Sequence, residues 1–181
     1  MKILQLSKKL PYPLRDGESV AVHALTTAMC AMGCEYTLLV MNTSKHPAIL
    51  ANLPANYTHY TAIHVVDVDT DVKMIDAFLN LFTSKSYNIS RFDNPDFHQK
   101  LISLLQETAF DMVQLETLFL TPYIDTIRQY SQAKIVLRAH NVEYEIWERM
   151  ARNESFLPKK YYLNLLVNRL KIGRASCRER V

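Results

Sequence analysis

The chain has 181 residues, of which 49% are hydrophobic and 22% charged, and its formal net charge at pH 7 is +3. This length suits one domain with a substantial core, and the apolar content excludes an intrinsically disordered chain. No run approaches the length of uninterrupted apolar sequence that a transmembrane helix needs. The apolar run that follows Met1 and Lys2 is too short for a secretory signal peptide, so we expect a cytoplasmic protein.

The segment 172–181 reads IGRASCRERV and resembles the translation of a common short-read sequencing adapter; a natural basic tail is the alternative. We therefore expect a non-native tail at 172–181 and a natural gene that continues past Lys171. The segment holds three arginines and one glutamate, a net charge of +2, which leaves +1 for residues 1–171. A charge this small gives no reason to expect binding to nucleic acid.

Apolar strand-like runs alternate with helical runs along the chain, which predicts an α/β fold with a Rossmann-like parallel sheet flanked by helices. The predicted strands are residues 3–7, 36–41, 61–68, 112–115 and 134–138. The predicted helices are residues 20–32, 71–82, a helix that starts at 94–95, and residues 122–130, 142–153 and 158–171. Ser19 is the predicted N-cap of the first helix, and residues 84–92 are predicted to form a loop.

Polar residues follow three of the predicted strands, at the sheet edge where open α/β folds bind ligands. Gly17, before the first helix, would let a phosphate approach the helix N-terminus, although a plain turn glycine is the alternative. Glu116 follows the fourth strand and suits the binding of sugar hydroxyls, with a solvent-exposed or capping acid as the alternative. His140 and Asn141 follow the fifth strand and suit acid–base chemistry or hydroxyl binding, with a structural histidine as the alternative. We expect these groups to converge on one rim.

The motifs of several other enzyme classes do not occur in the sequence. The chain has no G-x-x-x-x-G-K-[ST], G-x-S-x-G or C-x-x-C sequence, so P-loop and serine-hydrolase functions have no support. The other histidines show no metal-ligand spacing. Cys30 and Cys34 are predicted to be buried small residues near a helix end, so no metal is expected.

Several stretches, taken together and in order, resemble the family 4 glycosyltransferases of the GT-B fold over residues 1–171. They are 2–7 (KILQLS), 10–17 (LPYPLRDG), 89–92 (ISRF), 110–116 (FDMVQLE) and 137–149 (LRAHNVEYEIWER), and the last is the most specific. The resemblance implies that residues 1–171 are the N-terminal, acceptor-side half of a GT-B fold. A second Rossmann-like domain beyond Lys171, absent from this chain, would bind the donor.

The resemblance also implies a reaction and its residues. A sugar would pass from a nucleotide-sugar donor to a glycan or lipid-linked acceptor, without a metal and with retention at the anomeric carbon, in polysaccharide or cell-envelope biosynthesis. His140 would be the catalytic residue near the reacting sugar, Asn141 and Glu116 would bind substrate, and the Gly17 N–H would lie near the donor phosphate. Asp16 stands where many relatives have a second glycine, and an acid beside an anion is unfavourable unless it points away.

Without its donor domain the fragment is expected to be inactive. Two other functions remain open, namely a non-catalytic Rossmann-like module that binds a nucleotide or sugar, and a sugar-nucleotide epimerase of the same two-domain architecture. The helix predicted at 158–171 carries Lys159, Lys160, Arg169 and Lys171 among apolar residues. It would either lie on the anionic inner face of the cytoplasmic membrane or pack at the domain edge.

Overall fold

Five parallel strands form the centre of the protein, in a computed structural model that describes residues 1–71 and 87–180, without the side chains of 88 and 172–180. The strands are β1 (Lys2–Ser7), β2 (Glu35–Asn42), β3 (Tyr60–Asp67), β4 (Met112–Leu115) and β5 (Lys134–Leu137). Their order in the sheet is β3-β2-β1-β4-β5, with every neighbouring pair parallel. This is the order of half of a doubly wound sheet, and it confirms the predicted Rossmann-like α/β fold.

Helices connect these strands and cover both faces of the sheet. They are α1 (Gly17–Ala31), α2 (Tyr87–Ser90), α3 (Pro95–Glu107), α4 (Ile124–Tyr130), α5 (Glu143–Asn153) and α6 (Leu157–Arg180), with 3₁₀ turns at Leu50–Asn52 and Leu118–Tyr123. No helix within the described residues is long and apolar enough to cross a membrane.

The predicted strands lie within two residues of the observed ones, but several predicted helices differ. The described part of the segment predicted as a loop contains α2, so that prediction was wrong there. α4 begins at Ile124 rather than Pro122, because Pro122 lies inside the preceding 3₁₀ turn, where its missing N–H breaks no α-helical hydrogen bond. α6 extends past the predicted end at residue 171. The helix predicted at 71–82 lies outside the described residues apart from Asp71.

One face of the sheet is mainly apolar, although Thr37 and His64 also lie on it, and we call it the apolar face. There α3, α4 and Leu170 of α6 pack on alternate strand residues. The buried cluster includes Leu4, Leu6, Leu39, Met41, Val113, Leu115, Ile135, Phe97, Leu101, Leu104, Leu105, Ile127 and Leu170. Phe97, Leu101, Leu104 and Leu105 recur at helical spacing along α3 and all lie in this cluster, so the helical period identifies the buried side of this helix.

The other face is covered by α1, and we call it the polar face. It has a smaller apolar cluster, formed by Ile3, Leu10, Tyr36, Leu38, Val40 and Tyr60. Beside this cluster lie buried polar side chains, those of Gln5, Gln114, Glu116 and Thr26. Gln5 and Gln114 are direct partners in the register of β1 and β4, so their side chains stand together on this face.

Candidate functional site

Glu116 is the centre of the candidate site. It follows β4, and its side chain is completely buried. The carboxylate accepts hydrogen bonds from the side-chain amides of Gln5 and Gln114. It also accepts from the Arg138 guanidinium, at 3.0 and 3.1 Å, and from Nε2 of His140, at 2.8 Å. Because each of its partners is a donor, the site is built for an ionised carboxylate.

The pKa of Glu116 is set by two opposing effects. Burial alone raises the pKa, because a low dielectric disfavours the charged form. The hydrogen bonds from His140 and Gln114, the positive charge of Arg138 and the hydrogen bond from Gln5 outweigh burial, and the pKa falls below its ordinary value. Glu116 therefore carries its negative charge at neutral pH. The solvent-exposed or capping acid that the sequence left open is excluded.

A second layer of hydrogen bonds orients the two glutamines. The Tyr60 hydroxyl donates to Gln5 Oε1 at 2.7 Å, and the Tyr36 hydroxyl contacts Gln114 Oε1 at 3.4 Å. Burial keeps the Tyr60 hydroxyl protonated by raising its pKa well above the ordinary value. With each amide oxygen engaged by a phenol, each amide nitrogen faces Glu116. The polar face is thus one connected network from β3 to the end of β5.

The chemistry open to His140 follows from this network. Its side chain is 13% exposed, and Nε2 lies against the Glu116 carboxylate. An ionised carboxylate fixes the proton of the neutral imidazole on Nε2, which leaves Nδ1 as the one ring nitrogen available to a ligand. The ring can accept a hydrogen bond or a proton through Nδ1, while Glu116 stabilises any positive charge that results.

Glu116, His140 and Asn141 line one cleft at the carboxyl edge of the sheet, as the sequence predicted for these three. The cleft is also lined by Lys8, Glu18, Thr117, Leu118, Ala139 and Glu143. Its volume is about 10 Å³, which is room for about one water molecule. It borders a cavity of about 500 Å³ with which it shares Lys8, Asn141 and Glu143, so a ligand can lie beside the histidine.

Gly17 begins α1 at the same edge of the sheet, but it does not line this cleft; its neighbour Glu18 does. A Cβ added at Gly17 would meet nothing within 4 Å, and its φ is not positive, so the fold itself does not require glycine there. The position is open to a ligand. Its role towards a donor phosphate stays a prediction.

Asp16, not Ser19, caps α1, which corrects the predicted helix start. Asp16 Oδ1 accepts from the Ser19 N–H at 2.9 Å, and Oδ2 contacts Lys9 Nζ at 2.7 Å. The hydrogen bond from Lys9 is the main reason that the pKa of Asp16 falls to about 2, against the opposing effect of burial and with help from Ser19. An anion at this helix N-terminus must compete with a carboxylate already there, although Lys9 supplies a compensating charge.

The structure adds two groups that the sequence did not single out. Arg138 was assigned only to a strand, yet it holds Glu116 and reaches the Ala21 carbonyl at 3.4 Å. Glu143 lines the cleft, and its pKa is raised by burial and by Glu18, against the opposing charge of Lys8. Both flank the His-Asn pair in the chain, which was the available signal. No three His, Cys, Asp or Glu residues of the described chain are placed to hold a metal ion.

No family model matches the chain, and no curated protein matches it. Among solved structures, the C-terminal domain of a hydrogenase from Pyrococcus furiosus is similar, with a TM-score of 0.48 and 15% identity. The likeness covers 76% of this chain and 89% of that domain, and it carries no information about function. Fold and site together define a Rossmann-like α/β domain with a buried carboxylate–histidine pair beside its central strand.

Proposed function

We propose that the chain is the N-terminal, acceptor-side domain of a nucleotide-sugar-dependent glycosyltransferase of the GT-B fold. The observation that carries this proposal is the Glu116–His140 pair at the carboxyl edge, beside the β1–β4 junction where the strand order reverses. Doubly wound sheets bind ligands at such a switch point, because the connections leave it in opposite directions and open a crevice. The pair also lies in the stretches that resemble family 4 glycosyltransferases.

In the proposed reaction the acceptor oxygen bonds to the anomeric carbon, while the bond from that carbon to the donor phosphate breaks. The nucleoside diphosphate leaves with the electron pair and takes up the proton of the acceptor hydroxyl. His140 accepts a hydrogen bond through Nδ1 from a sugar hydroxyl near the reacting carbon, and Glu116 stabilises the positive charge that the ring gains. Asn141 is exposed at the cleft and offers its amide to other hydroxyls.

The donor contacts lie partly outside this chain. The diphosphate approaches the N-terminus of α1 at Gly17, where the helix dipole favours an anion and Lys8 and Lys9 offset the charges of Asp16 and Glu18. A second domain encoded beyond Lys171 holds the nucleotide, and the reaction proceeds without a metal and with retention. We place the enzyme in the cytoplasm or at the inner face of the cytoplasmic membrane, with a sugar or lipid-linked acceptor.

The test begins with the natural gene downstream of the Lys171 codon. We expect it to encode a second α/β domain, and the full protein to transfer sugar from a nucleotide-sugar. His140→Ala in the full protein should lower kcat about 100-fold, the scale of general acid–base catalysis. His98→Gln is the control, because His98 lies on α3 and outside the cleft, where its ring nitrogens contact Asp93 and Thr126 of α4.

Two results would contradict this function. One is a natural stop close to Lys171, which favours a complete binding module. The other is a full-length protein in which His140→Ala and His98→Gln transfer sugar equally well. The 181-residue chain alone should show no turnover with any nucleotide-sugar, because it lacks the donor contacts.

A further inference from the structure

The cavity of about 500 Å³ beside the His140 cleft has an apolar floor. We call it the α5 cavity, because one wall is the side of α5 that carries Ile146, Trp147 and Met150. Phe92 and Phe119 also line the cavity, and their ring centres are 4.9 Å apart. These five apolar side chains are what we call the apolar floor. Cavities of this size hold small organic ligands, and a floor of five large apolar side chains favours a ligand with an apolar part.

Cationic side chains surround that floor. Lys8, Lys45 and Arg91 line the cavity, together with the carboxylates of Asp71 and Glu143. Lys8 also forms an ion pair with Glu18 at 3.3 Å, and the Asp71 carboxylate accepts a hydrogen bond from the Ser44 hydroxyl. His46 also lines the cavity, and its pKa is lowered by burial first and then by Lys9, Lys45 and Lys8, against the opposing charge of Glu18.

Arg91 is the group in this cavity that most directly indicates a ligand. Its Nε is buried and has no hydrogen-bond acceptor in the described protein, while the guanidinium lies 5.2 Å from the centre of the Phe92 ring. A buried donor without an acceptor is unfavourable, and none of residues 1–71 and 87–180 supplies an acceptor for Arg91 Nε. The guanidinium therefore keeps hydrogen-bonding capacity for a ligand in the cavity that Arg91 lines. The planar guanidinium suits phosphate, whose oxygens accept paired hydrogen bonds from it.

We propose that the α5 cavity binds a lipid phosphate. Arg91 and Lys45 contact the phosphate, and the apolar floor contacts the acyl chain of the lipid. A compact sugar phosphate would leave the aromatic floor uncovered. Large apolar side chains of this region are also exposed: Met150, which lines the cavity, is 49% exposed, and Phe156 and Leu157, just past α5, are 64% and 75% exposed. Lys159 and Lys160 follow them, a composition that suits an anionic lipid surface.

This ligand is the acceptor of the proposed transferase, and that identification rests on the proposed function. The cavity shares Asn141 and Glu143 with the His140 cleft, so a hydroxyl attached to a phosphate in the cavity lies close to the histidine. Binding of the lipid phosphate itself does not depend on catalysis. The two proposals can therefore fail separately.

Trp147 provides the experiment, because it is the only tryptophan of the chain and it lines the cavity. The 181-residue protein is titrated with monomeric dihexanoyl phosphatidic acid, glycerol 3-phosphate and inorganic phosphate, followed by tryptophan fluorescence and by calorimetry. We expect saturable binding of the phosphatidic acid, at least tenfold tighter than that of the other two. Equal binding of glycerol 3-phosphate or inorganic phosphate would overturn the lipid assignment, and the absence of saturable binding would overturn the site.

Arg91→Gln should weaken binding of the phosphatidic acid about tenfold, as expected for loss of charge-assisted hydrogen bonds. Arg128→Gln makes the same charge change at an exposed position of α4 outside the cavity, and it should bind like the parent. Circular dichroism establishes that both variants are folded. Equal affinity of the two variants would overturn the role of Arg91. His140→Ala should keep lipid binding, so a failure of sugar transfer remains distinguishable from a failure of this site.

Discussion

The two faces of the sheet are built from alternate residues of the same strands, yet they hold the protein together in different ways. In β1, Leu4 and Leu6 enter the apolar face, while Gln5 between them enters the polar face. The apolar face is stabilised by burial that has no preferred direction and tolerates small shifts. The polar face depends on hydrogen bonds that are lost when their geometry is lost.

The apolar face mainly stabilises the fold, and the polar face mainly orients Glu116 and His140. A buried carboxylate is unfavourable unless every donor around it is in place, so Glu116 gains little net stability from its partners. Those partners instead set its charge and its direction towards His140. The apolar face holds the five strands in register, and the polar face uses that register to present one imidazole nitrogen at the carboxyl edge.

Phe97→Ala should have the largest effect on folding. Phe97 is completely buried on α3 and packs on Tyr123 with ring centres 4.7 Å apart. Removing it leaves a cavity in the apolar face and should lower the free energy of unfolding by about 3–5 kcal/mol. The loss should be the same at pH 7 and pH 4.5 in urea titrations, because no titrating group is removed. A loss that changes strongly with pH would contradict this description of the apolar face.

Arg138→Met should have a smaller effect that depends on pH. It leaves the buried Glu116 charge without its cation, and since Arg138 is itself 22% exposed we expect a loss of about 2 kcal/mol at pH 7. The folded-state pKa of Glu116 is depressed in the parent, so its favourable contribution is present above the unfolded pKa of about 4.3 and lost as pH falls through the folded pKa. In the variant that pKa rises, and the loss should shrink towards pH 4.5.

The control for this variant is Arg152→Met, which removes an exposed arginine paired with Glu148 on α5 at 3.4 Å. That pair is largely solvated, so stability should change little at either pH. Equal losses for the two arginine variants would mean that the network around Glu116 adds nothing beyond a surface ion pair.

The strands and the apolar face could be predicted from the sequence because both depend on local pattern. Continuous apolar runs mark strands buried on both faces, and the spacing of Phe97, Leu101 and Leu104 marks one side of a helix. The start of α1 could not be chosen in the same way. Asp16 and Ser19 are both good caps, and the decisive contact, the one with Lys9, depends on how the loop after β1 folds back.

The position of the candidate site at the sheet edge could be predicted from the sequence, but the hydrogen bonds that connect its residues could not. Strand ends identified Glu116, His140 and Asn141, because parallel strands end at one edge. Gln5 and Gln114 were visible as polar residues inside apolar strands. Their meeting requires β1 and β4 to be neighbours in exact register, which depends on the strand order of the sheet. No spacing within the sequence encodes that order.

Asp16→Asn should have the smallest effect, at the rim where the polar face reaches solvent. Asparagine caps a helix about as well as aspartate, so the substitution removes mainly the ion pair with Lys9, and we expect a loss of about 0.5 kcal/mol at pH 7 because Asp16 is half exposed. The pKa of about 2 lies below the ordinary 3.8, so this contribution is present above about pH 4 and disappears as pH falls through 2.

Asp16→Ala removes the cap as well and should cost about 1 kcal/mol more than Asp16→Asn at every pH, because the Ser19 N–H then loses its acceptor. Thermal unfolding of the three proteins between pH 7 and pH 3 separates the two roles. If Asn and Ala destabilise equally, Asp16 acts only through Lys9 and is not the cap. If Asn matches the parent throughout, the ion pair contributes nothing, and the pH dependence of folding belongs to the interior of the polar face around Glu116.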